Sequence, residues 1–101
     1  MRYDSGITTV TTSGTAVRVN NIQDRIKAIR IKSLITNTAT VLVGRTDVEG
    51  SGTLNGFPIS PGEDYVTNFG DGSVALDVFW IDATANSQSV AWEVIYEAGE
   101  D

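Results

Sequence analysis

The chain is 101 residues long, with 41% hydrophobic and 20% charged residues, the size and balance of one small globular domain. It contains no cysteine and no histidine, which excludes disulfides, thiolate zinc sites and catalysis by an imidazole base. The formal net charge is −6 at pH 7, although all basic residues lie within residues 1–45. This uneven charge predicts pairing between the two parts of the chain, either inside one fold or between neighbouring subunits.

The sequence predicts neither a nucleic-acid partner nor a membrane partner. A net negative charge repels phosphate, and every tryptophan and phenylalanine lies outside the basic part of the chain, so stacking platforms are missing there. The longest apolar run, Val78–Ile81, is far shorter than the ~20 residues of a membrane helix, and no signal-peptide pattern follows Met1. The lack of cysteine fits a protein made in a reducing cytoplasm.

The residue types indicate strands. Valine, isoleucine and threonine make up 32 of the 101 residues, and these β-branched side chains fit strands better than helices. Apolar residues alternate with period two between regularly spaced turn residues. The sequence therefore predicts an all-β fold, a compact, jelly-roll-like antiparallel β-sandwich of about seven or eight strands.

Residues 1–6 are predicted to be a flexible N-terminal arm, residues 7–98 a single β-sandwich domain and residues 99–101 a frayed acidic tail. Turn-forming residues dominate from Thr46 to Asp64, which predicts a long connection between sheets. The predicted strands in chain order are Ile7–Thr12, Thr15–Val19, Ile26–Thr36, Ala39–Arg45, Asp64–Phe69, Val74–Asp82 and Gln88–Glu97.

Alternation along these strands assigns side chains to a buried or an exposed face. The predicted buried positions are Ile29, Ile31, Ser33, Ile35, Val41, Val43, Val74, Leu76, Val78, Trp80, Val90, Trp92, Val94 and Tyr96. The opposite faces then carry the apolar residues Leu34, Leu42, Phe79, Ile81 and Ile95. Such residues on adjoining strands are typical of an oligomer interface, although a second sheet layer would also cover them, and scattered exposed apolar residues are common.

No catalytic residue, metal site or cofactor site is expected. Paired carboxylates are the remaining catalytic device, but Asp77, Glu93 and Glu97 fall on polar faces with no arginine or lysine near them in sequence. The acidic segments Asp47–Glu49 and Gly70–Ser73 lack the spacing of an EF-hand calcium loop. The chain is therefore predicted not to be an enzyme.

Three short motifs between residues 17 and 69 are similar to those of a group of small tailed-bacteriophage virion proteins. They are Ile29-Arg30-Ile31-Lys32-Ser33-Leu34, Val41-Leu42-Val43-Gly44 and Gly56-Phe57-Pro58-Ile59-Ser60-Pro61-Gly62-Glu63. The family patterns are I-x-I-K/R-x-L, V-x-V-G and G-F-P-L-x-P-G-E, from which Ile59 and a longer loop at Thr46–Asn55 depart. Over about half of its length, the chain resembles the head decoration (cement) type of these proteins.

The resemblance implies a non-enzymatic structural protein that decorates and stabilises the capsid by bridging neighbouring capsid subunits. It implies the major capsid protein as partner, a homo-oligomer with a trimer favoured, no cofactor, and a place on the outer capsid surface of the virion after synthesis in the host cytoplasm. A tail, baseplate or head-completion component would use the same fold. A carbohydrate-binding module of a virion fibre is a further alternative, which requires exposed tryptophans.

Interface candidates come from exposed apolar, basic and loop positions. Residues 1–12 have the β-propensity to add a strand to a neighbour, and basic residues can contact acidic neighbours. The segment Gly56-Phe57-Pro58 either closes one end of the sandwich or contacts another subunit. The candidates are Ile7, Val10, Arg30, Lys32, Leu34, Leu42, Arg45, Phe57, Pro58 and Ile95.

Overall fold

Two antiparallel sheets pack against each other around one hydrophobic core in the computed structural model, which describes residues 3–52 and 54–96. This arrangement confirms the predicted all-β sandwich. The strands of the described residues are β1 (Tyr3–Val10), β2 (Val17–Arg18), β3 (Arg25–Ser33), β4 (Val41–Gly44), β5 (Phe57–Ile59), β6 (Asp64–Asn68), β7 (Val74–Ala75), β8 (Trp80–Ala83) and β9 (Gln88–Tyr96).

The larger sheet has the strand order β1-β9-β3-β6, with β7 also paired to β3, and the smaller sheet has the order β2-β8-β4-β5. The connection predicted from Thr46 to Asp64 contains the short strand β5, which pairs with β4 before the chain crosses to β6 in the larger sheet. In the larger sheet, β9 and β3 therefore occupy the centre, and β1 and β6 lie at the two margins.

The centre of the core comes from β3 and β9. On β3 the buried residues include Ile26, Ile29 and Ile31. Ile26 and Ile29 are three positions apart, and in a regular strand this spacing would place them on opposite faces. A register shift between Ile26 and Ala28 is a β-bulge, which turns both isoleucines to the inner face. The regular alternation of β9 buries the four residues predicted there: Val90, Trp92, Val94 and Tyr96.

The alternation predicted through Val74–Asp82 is wrong in its second half. Leu76–Val78 forms one turn of 3-10 helix, so the strand is interrupted and the side chains that follow change phase. Phe79 and Ile81, predicted to face outward, are buried at 9% and 0% exposure. Trp80, predicted to be buried, lies on the outer face and is half-buried.

The predicted flexible arm at residues 1–6 is wrong for Tyr3 to Gly6, which form the first half of β1 and pair with β9. Gly6 lies opposite Trp92, and a Cβ at position 6 would come within 2.7 Å of the indole Cζ2. The glycine therefore makes room for the ring at this margin of the core. The predicted acidic tail, residues 99–101, lies outside the described residues.

Strand β3 ends at Ser33, earlier than predicted. A turn follows, in which the backbone N–H of Asn37 donates to the carbonyl of Leu34 at 2.9 Å. Because the strand has already ended, Ile35 is 82% exposed instead of buried as predicted.

Candidate interaction surfaces

The structure divides the predicted interface residues among three environments. Four lie on the outer face of the larger sheet: Ile7, Arg30, Lys32 and Ile95. Three lie at or just beyond the β4–β5 pair of the smaller sheet: Arg45, Phe57 and Pro58. Three are covered, with two buried and the third half-buried: Val10, Leu42 and Leu34.

The interface predictions for Val10 and Leu42 are wrong, because neither side chain is accessible to a partner. Val10 is an odd number of residues from Ile7, so it faces the core when Ile7 faces solvent. Leu42 lies on the outer side of the smaller sheet, but the β4–β5 loop covers it. In that loop Val48 is buried, and a Cβ at Gly56 would lie 3.2 Å from the Leu42 Cβ.

The outer face of the larger sheet, called the sheet face below, combines large apolar residues with charged ones. Its apolar members are Tyr3, Ile7, Val66 and Ile95, and its charged members are Arg30, Lys32, Asp64 and Glu93. Ile7 is 68% exposed and Val66 is 65% exposed. Exposed apolar side chains on one face, interleaved with charges, are typical of a protein contact surface.

Asp64 is the centre of the charged cluster on the sheet face. Its Oδ2 accepts hydrogen bonds from Arg30 Nε at 2.8 Å and from a terminal nitrogen of the same guanidinium at 2.5 Å, while Lys32 Nζ lies 3.6 Å from Oδ1. The hydrogen bonds from Arg30 hold the pKa of Asp64 below its ordinary value, against the opposing effect of desolvation. The carboxylate therefore stays ionised and keeps both basic side chains close to β6.

Glu93 links this cluster to β1. Its Oε1 lies 3.8 Å from a guanidinium nitrogen of Arg30, and its Oε2 accepts a 2.6 Å hydrogen bond from the Tyr3 hydroxyl, which raises the pKa of Tyr3. Exposed ion pairs add little to folding stability. Their effect here is to hold charges of defined sign at defined positions across the sheet, which gives a contact surface specificity.

Two shallow depressions, of about 160 and 190 Å³, lie on the sheet face. Their linings include the small residues Ala91 and Ala28, which the strand register places beside Ile7 and Ile95 respectively. The alanines therefore form depressions between larger side chains, and side chains of another protein can pack into these depressions.

A second surface lies where β5 and β6, one edge strand from each sheet, come together. The rings of Phe57 and Tyr65 meet there with centroids 5.4 Å apart, and Tyr65 also lines a cleft of about 240 Å³ that includes Arg45 and Phe69. Phe57 is the register partner of the buried Val43 but is 56% exposed, so its ring lies at the margin between the sheets and remains open to solvent. These four residues are called the aromatic rim below.

The two tryptophans are engaged within the chain. Trp92 is 6% exposed and its Nε1 donates to Thr8 Oγ1 at 3.2 Å, in agreement with its predicted core position. Trp80 lies beneath Arg18, whose guanidinium carbon is 5.0 Å from the ring centroid, the geometry of a cation–π contact.

Asp82 is fully buried, and its carboxylate binds backbone groups. Oδ1 accepts from the N–H of Gly14 at 3.0 Å and of Ala83 at 2.8 Å, and Oδ2 accepts from the N–H of Gly50 at 2.9 Å. This side chain therefore ties the β1–β2 and β4–β5 loops to β8. Within residues 3–52 and 54–96, acidic side chains form no group of three suited to holding a metal ion.

No helix in the described part of the chain has the length and apolarity needed to cross a membrane.

Four members of the sheet face were not among the interface residues predicted from the sequence: Tyr3, Asp64, Val66 and Glu93. For Glu93 the signal was present, because it alternates with the buried Trp92 and so shares a face with Ile95. The contact between Asp64 and Arg30 carries no local signal, since it depends on how β6 pairs with β3.

No protein-family model and no curated protein matches this chain. Among solved structures, it is similar to a chain from the disulfide-linked pili that form Bacillus endospore appendages, with 19% identity, a TM-score of 0.46, and coverage of 94% of this chain and 86% of that one. It is also similar to the IMPa metallopeptidase from Pseudomonas aeruginosa, with 16% identity and a TM-score of 0.45 over 94% of this chain but 12% of the metallopeptidase. At these TM-scores neither similarity bears on function.

Proposed function

We propose that this chain is a non-enzymatic phage structural protein that decorates the capsid and stabilises it by bridging neighbouring capsid subunits. The sheet face is the observation that carries the proposal, because an isolated monomer leaves its large apolar side chains and its ordered charges in contact with water. The motif resemblance within residues 17–69 is what points to a virion and to the major capsid protein as partner.

A bridging protein needs two contact surfaces that are used at the same time. The sheet face is suited to contact with further copies of the chain, since it is broad and carries both signs of charge. The aromatic rim is suited to the capsid protein, because it presents an apolar cleft beside a cation. Arg45 makes no ion pair with any described residue, whereas Arg30 and Lys32 are already paired with Asp64.

Stabilisation of the capsid follows from mass action. A protein that binds the assembled shell but not the free subunits lowers the free energy of the shell by RT ln(1 + [L]/Kd), about 2.7 kcal/mol per site at a hundredfold excess over Kd. Bridging two sites raises the effective affinity further, because the second contact forms within the same complex. A weak individual contact at the aromatic rim is therefore sufficient.

Co-sedimentation of the purified chain with undecorated capsids of the parent phage tests the proposal. We expect saturable binding and a higher capsid melting temperature, both reduced in Arg45→Glu and Phe57→Ser. The matched control is Arg18→Glu, the same charge change on the outer face of the smaller sheet. Absence of wild-type binding to capsids would reject the proposal, as would a cryo-electron microscopy map of the particle with the protein located on the tail or baseplate.

A further inference from the structure

We infer that the sheet face is occupied by a second copy of this chain, packed face to face about a twofold axis that lies in the interface and runs along the strands. The inference deepens the proposed function, on which it rests, by naming the partner of the sheet face. It depends on how charge and side-chain size are distributed over the four strands.

The two central strands carry opposite charges at the middle of the face. Arg30 on β3 and Glu93 on β9 are register partners, and their side chains are 50% and 41% exposed. A twofold axis between these strands and parallel to them lays β9 of one copy over β3 of the other. Glu93 then faces Arg30 of the partner subunit, and the same pair forms again on the other side of the axis.

The charges also exclude the other simple twofold arrangement. An axis perpendicular to the strands, through the same row of the face, lays each strand over its own copy. Glu93 would then face a second Glu93, and Arg30 a second Arg30. Like charges brought together in an interface are strongly unfavourable, so the parallel axis is selected.

The position of Val66 agrees with the parallel axis, although the same rotation brings Ile7 over Asp64. A rotation about the parallel axis lays β1 of one copy over β6 of the other. Val66 then lies over Ser5 of the partner subunit, between the exposed side chains of Tyr3 and Ile7. The side chain of Val66 thus meets a gap flanked by two larger apolar residues.

At the centre of the face, the same rotation brings Ile95 over Ala28, which lines one of the two depressions. Lys32 likewise comes over Ala91, which lines the other. At these two positions a large residue of one copy therefore meets a small residue of the other, the complementarity that a packed interface requires.

The size of the face predicts a weak dimer in solution. Four strands about 4.8 Å apart and some six residues of length at about 3.4 Å give a footprint of roughly 400 Å² per subunit. This is about half of the ~800 Å² per partner of a standard interface, so we expect a dissociation constant in the micromolar range. The axis also places the two aromatic rims on opposite sides of the dimer, which makes the pair a bivalent unit.

Sedimentation equilibrium of the full chain from about 10 µM to 1 mM tests the inference, with two charge-reversal variants as the decisive arm. Arg30→Glu and Glu93→Arg are each expected to be monomeric, because each places like charges across the axis. An equimolar mixture of the two is expected to form a heterodimer, since both contacts then join opposite charges. Mixing cannot restore an ion pair within one chain, so this result is specific to the intermolecular contact.

The matched control Arg18→Glu, on the outer face of the smaller sheet, should dimerise like wild type. Should a charge variant fail to fold, Val66→Ser tests the same interface, with an expected weakening of at least tenfold. A wild-type chain that stays monomeric at 1 mM or forms trimers overturns the inference, and so does a mixture that remains monomeric while both variants are folded. A dimer without capsid affinity rejects only the proposed function, whereas a monomer that binds capsids rejects only the twofold pairing.

Discussion

Replacing Asp82 tests whether one buried carboxylate holds two loops onto the sandwich. Its two oxygens accept three backbone N–H groups, from Gly14, Gly50 and Ala83. In Asp82→Ala all three donors lose their acceptor, and two of them, Gly50 and Ala83, are buried. In Asp82→Asn the side-chain carbonyl oxygen can still accept the hydrogen bonds made by one of the two carboxylate oxygens. The amide nitrogen cannot accept the hydrogen bonds made by the other oxygen.

The expected loss of stability follows from the burial of those donors. An unsatisfied buried polar group costs about 1–3 kcal/mol. Gly50 and Ala83 are both buried, so their amides lose the most, whereas Gly14 is exposed and its amide can bind water instead. We expect Asp82→Ala to lose about 3–5 kcal/mol and Asp82→Asn about 1–3 kcal/mol. The larger loss is a major share of the roughly 5–15 kcal/mol that folds a domain of this size.

Urea unfolding followed by circular dichroism measures both losses. The order of the three proteins is the critical result: wild type most stable, then Asp82→Asn, then Asp82→Ala. Asp77→Ala is a matched control, because it removes a carboxylate from the neighbouring 3-10 turn. An alanine variant as stable as wild type would show that the Asp82 carboxylate does not hold the two loops, as would an alanine variant more stable than the asparagine variant.

Three further predictions concern the core and the sheet face. Gly6→Val should lower the free energy of unfolding, measured with urea, by about 1–3 kcal/mol, because the Cβ of the new side chain would lie 2.7 Å from the Trp92 ring. The control Ser5→Val, whose side chain points outward, should leave the free energy of unfolding nearly unchanged. The pKa of Asp64 is lower in the folded protein than its ordinary value. The ionised carboxylate therefore stabilises the fold above its unfolded pKa of about 3.9, and this stabilisation is lost as the pH falls through the folded pKa. The difference in unfolding free energy between wild type and Asp64→Asn should decrease over the same pH range. Trp80→Phe should leave blue-shifted emission that iodide quenches poorly, since Trp92 is buried.

Each of these has a distinct contrary result. Equal stability of the two valine variants would mean that the indole moves aside without penalty. A stability difference at Asp64 that persists unchanged at pH 2 would exclude its charge as the cause. Red-shifted, readily quenched emission from Trp80→Phe would place Trp92 in contact with solvent.

The aromatic rim and the sheet face differ in how far the sequence revealed them. Phe57 is conspicuous in the sequence because it lies between Gly56 and Pro58, and Arg45 was predicted as a contact because it is basic. Their closeness to Tyr65 and Phe69 arises from the meeting of β5 and β6, which belong to different sheets. A sequence pattern reports the local conformation of each strand but not which edges meet.

The alternation of apolar residues along the chain was sufficient to predict the fold class and much of the core. Period two is a direct consequence of strand geometry, so the buried faces of β9 and of the middle of β3 could be assigned residue by residue. Other features depend on contacts between distant parts of the chain. The 3-10 turn before Phe79 reversed the phase of a strand, the β4–β5 loop covered Leu42, and the pairing of β6 with β3 brought Asp64 to Arg30. Alternation reports only which side chains share a face, whereas burial depends on what distant parts of the chain lie against it.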